Sequence, residues 1–244
     1  MLREVDLKEI SDGKLYRAGD LVKVGCNNCQ GCSDCCRGMG DSVILDPLDV
    51  ARLSAGLGVS FDELLAGPVS LRVVDGLVLP YLKMEKAGEA CTFLNEEGRC
   101  SIHAIRPGFC RLFPLGRYYE ETGFSYFLQV GECSHKNSTK EKVRKWIGEA
   151  DWTEYEQFVW NWHSYQKKLQ QLIREAGQEK PREEQQKNAA EELQEGSPEE
   201  TKEQLAKRVS MTLLQQFYIQ TLPVEGFYRA FKERLQRLGY ETGL

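Results

Sequence analysis

The spacing of apolar residues divides this chain of 244 residues into two regimes. Up to about residue 150 it gives short segments broken by turns. Residues 1 to about 25 read as a lead-in, with a helix-and-strand stretch around Leu15 to Val24. Asp46-Pro47 supplies an N-cap and a first-turn proline for a helix running through Leu53 and stopping near Gly56 or Gly58. Ser60-Phe61-Asp62-Glu63 is a capping box for a second short helix ending at Gly67. Val69 to Val74 and Leu77 to Leu82 flank Asp75-Gly76, a hairpin signal, because both turn positions need residues that tolerate positive φ. Leu115 to Tyr119 and Phe124 to Val130 form a second hairpin about Glu121-Thr122-Gly123.

From Thr153 the period becomes helical. Thr153 with Glu156 reads as a capping box, and Phe158, Val159, Trp162, Tyr165, Leu169, Leu172, Ile173 and Ala176 share one face. Two amphipathic helices close the chain, one through Val209, Leu213, Phe217 and Tyr218, the other through Phe227, Phe231, Leu235 and Leu238. Between the long helix and this closing pair lies a Glu/Gln/Lys segment with almost no large apolar side chain, which has nothing to bury against the entropy of ordering itself. The expected fold is α+β: a small cysteine-rich metal-binding domain of short helices and β-hairpins over residues 1–150, an amphipathic helix packed on it over 151–177, an acidic flexible linker over 178–204, and two helices over 205–244.

Charge narrows the function. The formal net charge is −5, and residues 178–204 hold nine acids against four bases, so the rest of the chain is near neutral. A basic nucleic-acid footprint and a polybasic membrane patch are both missing. The first nine residues carry acids where a signal peptide needs a basic start and an apolar run, and no stretch reaches membrane-span length. A cytoplasmic protein with reduced thiols is expected, so its nine cysteines read as metal ligands or redox groups rather than disulfides.

Five of them, Cys26, Cys29, Cys32, Cys35 and Cys36, fall within eleven residues. Each C-x2-C step lets a tight turn aim two sulfurs at one point. The adjacent pair Cys35-Cys36 does not readily send both side chains to one tetrahedral centre, which suggests two centres, or one multi-iron cluster with a spare thiol. Cys91, Cys100, Cys110 and Cys133 follow downstream. Cys91 and Cys100 flank a turn at Glu97-Gly98, and Arg106 and Arg111 bracket Cys110, where their charge would offset several thiolates. Cys133 alone reads equally well as a small buried hydrophobe. These downstream cysteines complete a site only by folding back onto the upstream run.

Cys29-Gln30-Gly31-Cys32-Ser33-Asp34-Cys35-Cys36 carries the CxxCxxCC signature, and Cys91-x-Phe93-Leu94, Gly98-x-Cys100-Ser101-Ile102 and Arg106-Pro107-x-x-Cys110-Arg111-x-Phe113-Pro114 carry a second, linked one. Over roughly residues 26–135 the chain resembles the YkgJ-like cysteine-cluster family, a zinc- or iron-chelating domain. The resemblance implies a metal-binding protein, and its distant relation to flagellin lysine N-methylase implies that one branch transfers methyl groups to protein lysines. His103 stands where that family is expected to carry a tyrosine, and is not counted as a ligand.

Other candidates have plainer readings. Gly38-Met39-Gly40 follows cysteines rather than a strand and is a turn, not a nucleotide loop. His135 follows Cys133 by two residues and reads as an exposed loop histidine; His163 sits among Trp160, Trp162 and Tyr165 and reads as packing. Asp41 and Asp46 are candidate acceptors behind the ligands. Three functions stay open: an iron–sulfur protein, most simply 4Fe-4S, with a redox or cluster-dependent role; a zinc-stabilised module whose C-terminal helices meet a protein partner; and a lysine N-methyltransferase. Whether the chain is an enzyme is open among them.

Overall fold

The computed structural model describes residues 7–25, 32–85, 89–133, 139–176 and 201–242. In chain order these form α1 (Leu7–Ile10), β1 (Leu21–Gly25), a 3-10 turn (Asp34–Cys36), α2 (Pro47–Leu57), α3 (Phe61–Ala66), β2 (Val69–Val74), β3 (Leu77–Leu82), β4 (Met84–Glu85) and β5 (Ala90–Cys91). A second 3-10 turn (His103–Ile105), α4 (Gly108–Leu112), β6 (Leu115–Glu120), β7 (Gly123–Leu128), β8 (Thr139–Lys142) and α5 (Val143–Ile147) follow. The last elements are α6 (Trp152–Glu175), α7 (Lys202–Leu214), a π-helical turn (Gln215–Ile219) and α8 (Phe227–Arg237). The class is α+β, with a helical C-terminal region.

Local rules account for most of these boundaries. Asp46 Oδ1 accepts from Asp49 N–H at 2.8 Å, and Asp49 Oδ2 accepts from Asp46 N–H at 3.1 Å, so α2 opens with a reciprocal box and a proline. It ends four residues past Leu53, where Gly58 turns left-handed at φ 69°. Ser60 and Glu63 form the box of α3 as their spacing requires. β2 and β3 pair antiparallel about Asp75 (φ 50°) and Gly76 (φ 91°), the two positive angles of a tight hairpin turn. β6 and β7 form the second hairpin.

The strand pairs among the described residues are all two-stranded. β3 is also bonded on its other edge, where Leu45 N–H donates to Pro80 O at 2.9 Å and Leu82 N–H to Val43 O at 3.0 Å. β1 pairs with β8, Leu21 facing Lys142 and Gly25 facing Thr139, so the chain leaves for the cysteine region and returns from it at one place.

The helices differ from expectation in three details. α6 begins at Trp152, ahead of the Thr153–Glu156 box read from the sequence, and its N-cap Asp151 makes no side-chain cap bond. Leu172 is 46 % exposed and Ala176 is exposed, so the buried face runs instead through Tyr155, Phe158, Val159, Trp162, Tyr165 and Ile173. α7 starts at Lys202, before residue 205, because Thr201 and Gln204 supply a capping box that overrides the polar composition. Residues 178–200 of the expected linker lie outside the described residues.

One apolar core runs from Val22 to Leu235. The π turn places both Phe217 and Tyr218 inward at 0 % exposure. Phe217 meets Trp162 edge-on at 5.2 Å and Phe231 at 5.6 Å. Tyr218 donates its hydroxyl to Leu45 O at 3.0 Å, and Ser210 Oγ accepts from Val78 N–H at 3.1 Å, so α7 is fastened to the β3 region by polar bonds as well as packing. Glu149, in the turn before α6, grips Arg52 of α2 through both oxygens at 2.6 and 2.7 Å and meets Arg111 of α4 at 3.4 Å.

Two measurements follow. Glu149→Ala leaves two half-buried guanidiniums facing each other and should cost about 1–3 kcal/mol in urea unfolding, discounted for their remaining solvent access; a loss below the scatter of surface substitutions would show the grip to be idle. His163 stacks on Tyr119 with ring centroids 3.5 Å apart, and burial, helped by Lys167 and Arg117, pushes its pKa down to about 4. The unfolded chain therefore takes up this proton first, so the contribution is complete above an ordinary histidine pKa of about 6.5 and drains away as pH falls toward 4. The unfolding midpoint should fall less steeply over that window in His163→Phe than in the wild type, and parallel pH slopes would remove the effect.

Candidate metal centre

Four short segments converge on one cavity. The first is the 3-10 turn, closed by Cys36 N–H to Ser33 O at 2.9 Å and Arg37 N–H to Asp34 O at 3.1 Å. Its exit is strapped to β5 by an Arg37–Ala90 bridge and by Gly38 N–H donating to Glu89 O at 2.8 Å. The second is β5, where Cys91 faces Met84 of β4. The third is a turn in which Asn95 Oδ1 accepts from Arg99 N–H at 2.8 Å and Leu94 bridges Cys100. The fourth is the stretch from His103 through α4, which carries Arg106 and Cys110.

The cavity holds ≈ 50 Å³ and is lined by Cys32, Cys35, Cys36, Cys91, Cys100 and Cys110. That exceeds the ~10–15 Å³ one water needs on the same measure. Val43, Leu82, Met84, Ile102 and Pro107 form its apolar wall, and Arg99, Arg106 and His103 bring nitrogen donors to its rim. Upstream and downstream cysteines therefore meet although 74 positions separate Cys36 from Cys110.

Electrostatics bear the same mark. The Cys36 thiol donates to Cys35, which draws the Cys35 pKa down to about 7 against its burial, with Arg106 assisting. Cys36 is pushed up as the donor of that bond and by its own burial. Burial raises Cys91, Cys100 and Cys110, and each feels the charge of at least one other thiol of the group. His103 is held below the ordinary histidine range by burial and by Arg106, whose Nη1 lies 3.1 Å from its Nε2. A neutral imidazole at the rim is thereby favoured.

The donor set fits a thiophilic metal. Thiolate sulfur selects zinc or iron–sulfur clusters over hard cations, and Arg106 beside the cavity offsets the negative charge such a centre accumulates. Among the described residues no three Cys, His, Asp or Glu side chains already form a ligand cage. The thiols share a cavity without forming such a cage.

Not every sequence candidate arrives there. Cys26, Cys29 and His135 lie outside the described residues. Cys133 follows β7 and is not part of the cavity lining. Arg111 is not part of it either: its guanidinium donates to Ala104 O and Arg106 O, both at 3.0 Å, and faces Glu149. Asp41 forms a surface ion pair with Arg72, and Asp46 serves the α2 cap.

Two residues missed from the sequence belong to the charged network at the start of α2. Asp49, 2 % exposed, accepts from Gly108 N–H at 2.7 Å. Burial, with Asp46 alongside, lifts its carboxyl well above the usual carboxylate range. Its signal was the D-P-L-D pattern, a capping box with Asp as the fourth residue. Arg117 of β6 reaches Tyr155 Oη at 2.5 Å and stands within electrostatic reach of Asp46; nothing in a strand pattern marks it.

Comparison with known proteins agrees with this geometry. No solved structure matches the chain. The family described as CxxCxxCC, "Putative zinc- or iron-chelating domain", matches residues 28–150, just over half of the sequence, and that span contains every element that lines the cavity. The chain belongs to the CxxCxxCC family of metal-binding cysteine-cluster domains.

Proposed function

We propose that the cavity binds an iron–sulfur cluster, most simply 4Fe-4S, and that the protein does redox or cluster-dependent work in a reducing compartment such as the cytosol. The observation that carries the reading is that, among the described residues, six thiols and no carboxylate line one cavity, with Arg106 at its rim to offset the charge of a thiolate-bound cluster. A cluster held by four cysteines supplies one-electron or Lewis-acid chemistry when bound. Cys35, Cys91, Cys100 and Cys110 would be its holders, each on a different segment, with Cys36 and Cys32 adjacent. Arg106 holds positive charge toward the thiolates, and the wall of Val43, Leu82, Met84 and Ile102 limits water, the two protein levers on cluster potential.

A zinc-stabilised module is the second reading. It is favoured by the way the four lining segments are joined, through two-residue strands and 3-10 turns rather than a sheet, an arrangement that gains most from a structural metal.

Anaerobically isolated protein should be brown, with iron and acid-labile sulfide in equal amounts, and should bleach on exposure to air. Colourless protein with stoichiometric zinc would leave the zinc module standing instead. In either case Cys110→Ser should lose most of the metal while Cys133→Ser keeps it, read by elemental analysis; the reverse pattern would move the centre away from this cavity.

A further inference from the structure

We infer that Asp49 is a positioning residue for the metal centre: its carboxylate fixes the turn that carries Cys110 and so brings that thiol to the metal. The inference rests on the cavity being the metal site.

α4 is only five residues long, and Pro107 at its N-cap supplies no side-chain cap. A helix this short leaves its leading N–H groups to find partners elsewhere. Gly108 N–H finds Asp49 Oδ1 at 2.7 Å, a partner 59 residues away in sequence. Cys110 follows two positions later, in the same turn, and points to the cavity.

The other bonds of this segment do a different job. Arg111 takes Ala104 O and Arg106 O, which staples the segment to itself. Asp49 ties it to α2, an eleven-residue helix whose residues Pro47 to Ala51 are all buried. The tie is stiff at both ends, because Asp49 Oδ2 is committed to Asp46 N–H at 3.1 Å while Oδ1 holds Gly108. Two acceptors are therefore needed on one side chain. Asparagine keeps one of them and alanine neither. The capping box of α2 thus doubles as a bracket for a ligand on another element.

A carboxylate that only capped α2 would affect stability alone, so the test separates the two. Metal-free, reduced full-length protein is titrated with zinc against a chromophoric chelator and with cobalt(II), whose absorption reports the number of thiolates bound. Wild type, Asp49→Ala, Asp49→Asn, Cys110→Ser and the Asp49→Ala/Cys110→Ser double variant are compared, with thermal melts of the metal-free forms. Asp49→Ala should weaken zinc binding about 10–100-fold, with Asp49→Asn between it and wild type. Its cobalt spectrum should move to that of Cys110→Ser, and the double variant should bind no more weakly than Cys110→Ser alone. A wild-type cobalt spectrum in Asp49→Ala, or a loss that adds in full to that of Cys110→Ser, would reduce Asp49 to a helix cap. Should Asp49→Ala fail to fold, the same cycle run with Asp49→Asn decides. A wild-type chain that takes up neither ion would instead overturn the metal-site reading itself.

Discussion

β3 is bonded along both edges, and most of the molecule is arranged by that fact. Its partner on one side is β2; on the other it holds only the strip Val43 to Leu45, through Pro80 O and Leu82 N–H. Pro80 has no N–H to offer that strip, so the second edge is short and the chain is free to turn into α2 immediately after Leu45. Tyr218 then caps the same strip from above by bonding Leu45 O, and α7 lies along β3 with Ser210 on Val78. The far end of β3 passes Leu82 into the cavity wall, and β4 follows with Met84. The aromatic C-terminal core and the thiol cavity are thus two ends of one strand.

Asp46 and Asp49 stand at the point where these two ends meet. They lie close together, yet both are drawn into hydrogen bonds with backbone N–H groups, and Arg52 and Arg117 supply the neighbouring positive charge. Burying acids is costly unless such partners are present. Here the partners belong to α2, α4 and β6, so satisfying the acids also ties the segment of Cys110 to α2. Arg111, by contrast, spends its donors on backbone carbonyls and Glu149, which explains why a guanidinium two residues before Phe113 stays out of the cavity.

Much of the fold was legible because it follows local rules. Ser60-Phe61-Asp62-Glu63, Asp46-Pro47 and Asp75-Gly76 specify caps and a turn within a few residues, and the apolar stripes of the late helices are strong. α6 began early because burial of Tyr155 and Trp162 fixes its position, leaving Thr153 without a capping role. α7 shows the opposite: Thr201 and Gln204 form a box inside a segment whose composition argued for a coil. The thiol-rich run announced metal, and the downstream cysteines announced that it was incomplete. Which of them close the cavity was not legible, since that depends on the path of β3 to β5 and on Asp49, a contact spanning 59 positions. Cys110 stood in a motif and Cys133 did not, and the geometry leaves Cys133 outside the cavity lining.

The pairing of β1 with β8 has a topological meaning. Gly25 and Thr139 are register partners, so nearly the whole family-matching span is a loop whose two ends are pinned side by side. Closing a loop of that length costs little more entropy than closing one of half the size, because the penalty grows only with the logarithm of length. Changes in the length of its surface turns therefore cost the neck little, whereas β3 and α2 inside the loop carry the contacts to the C-terminal helices. On the proposed reading, a metal held by thiols from both halves of the loop would act as a second, chemically reversible knot. The neck fixes where the loop begins and ends, and such a knot would draw its two halves together.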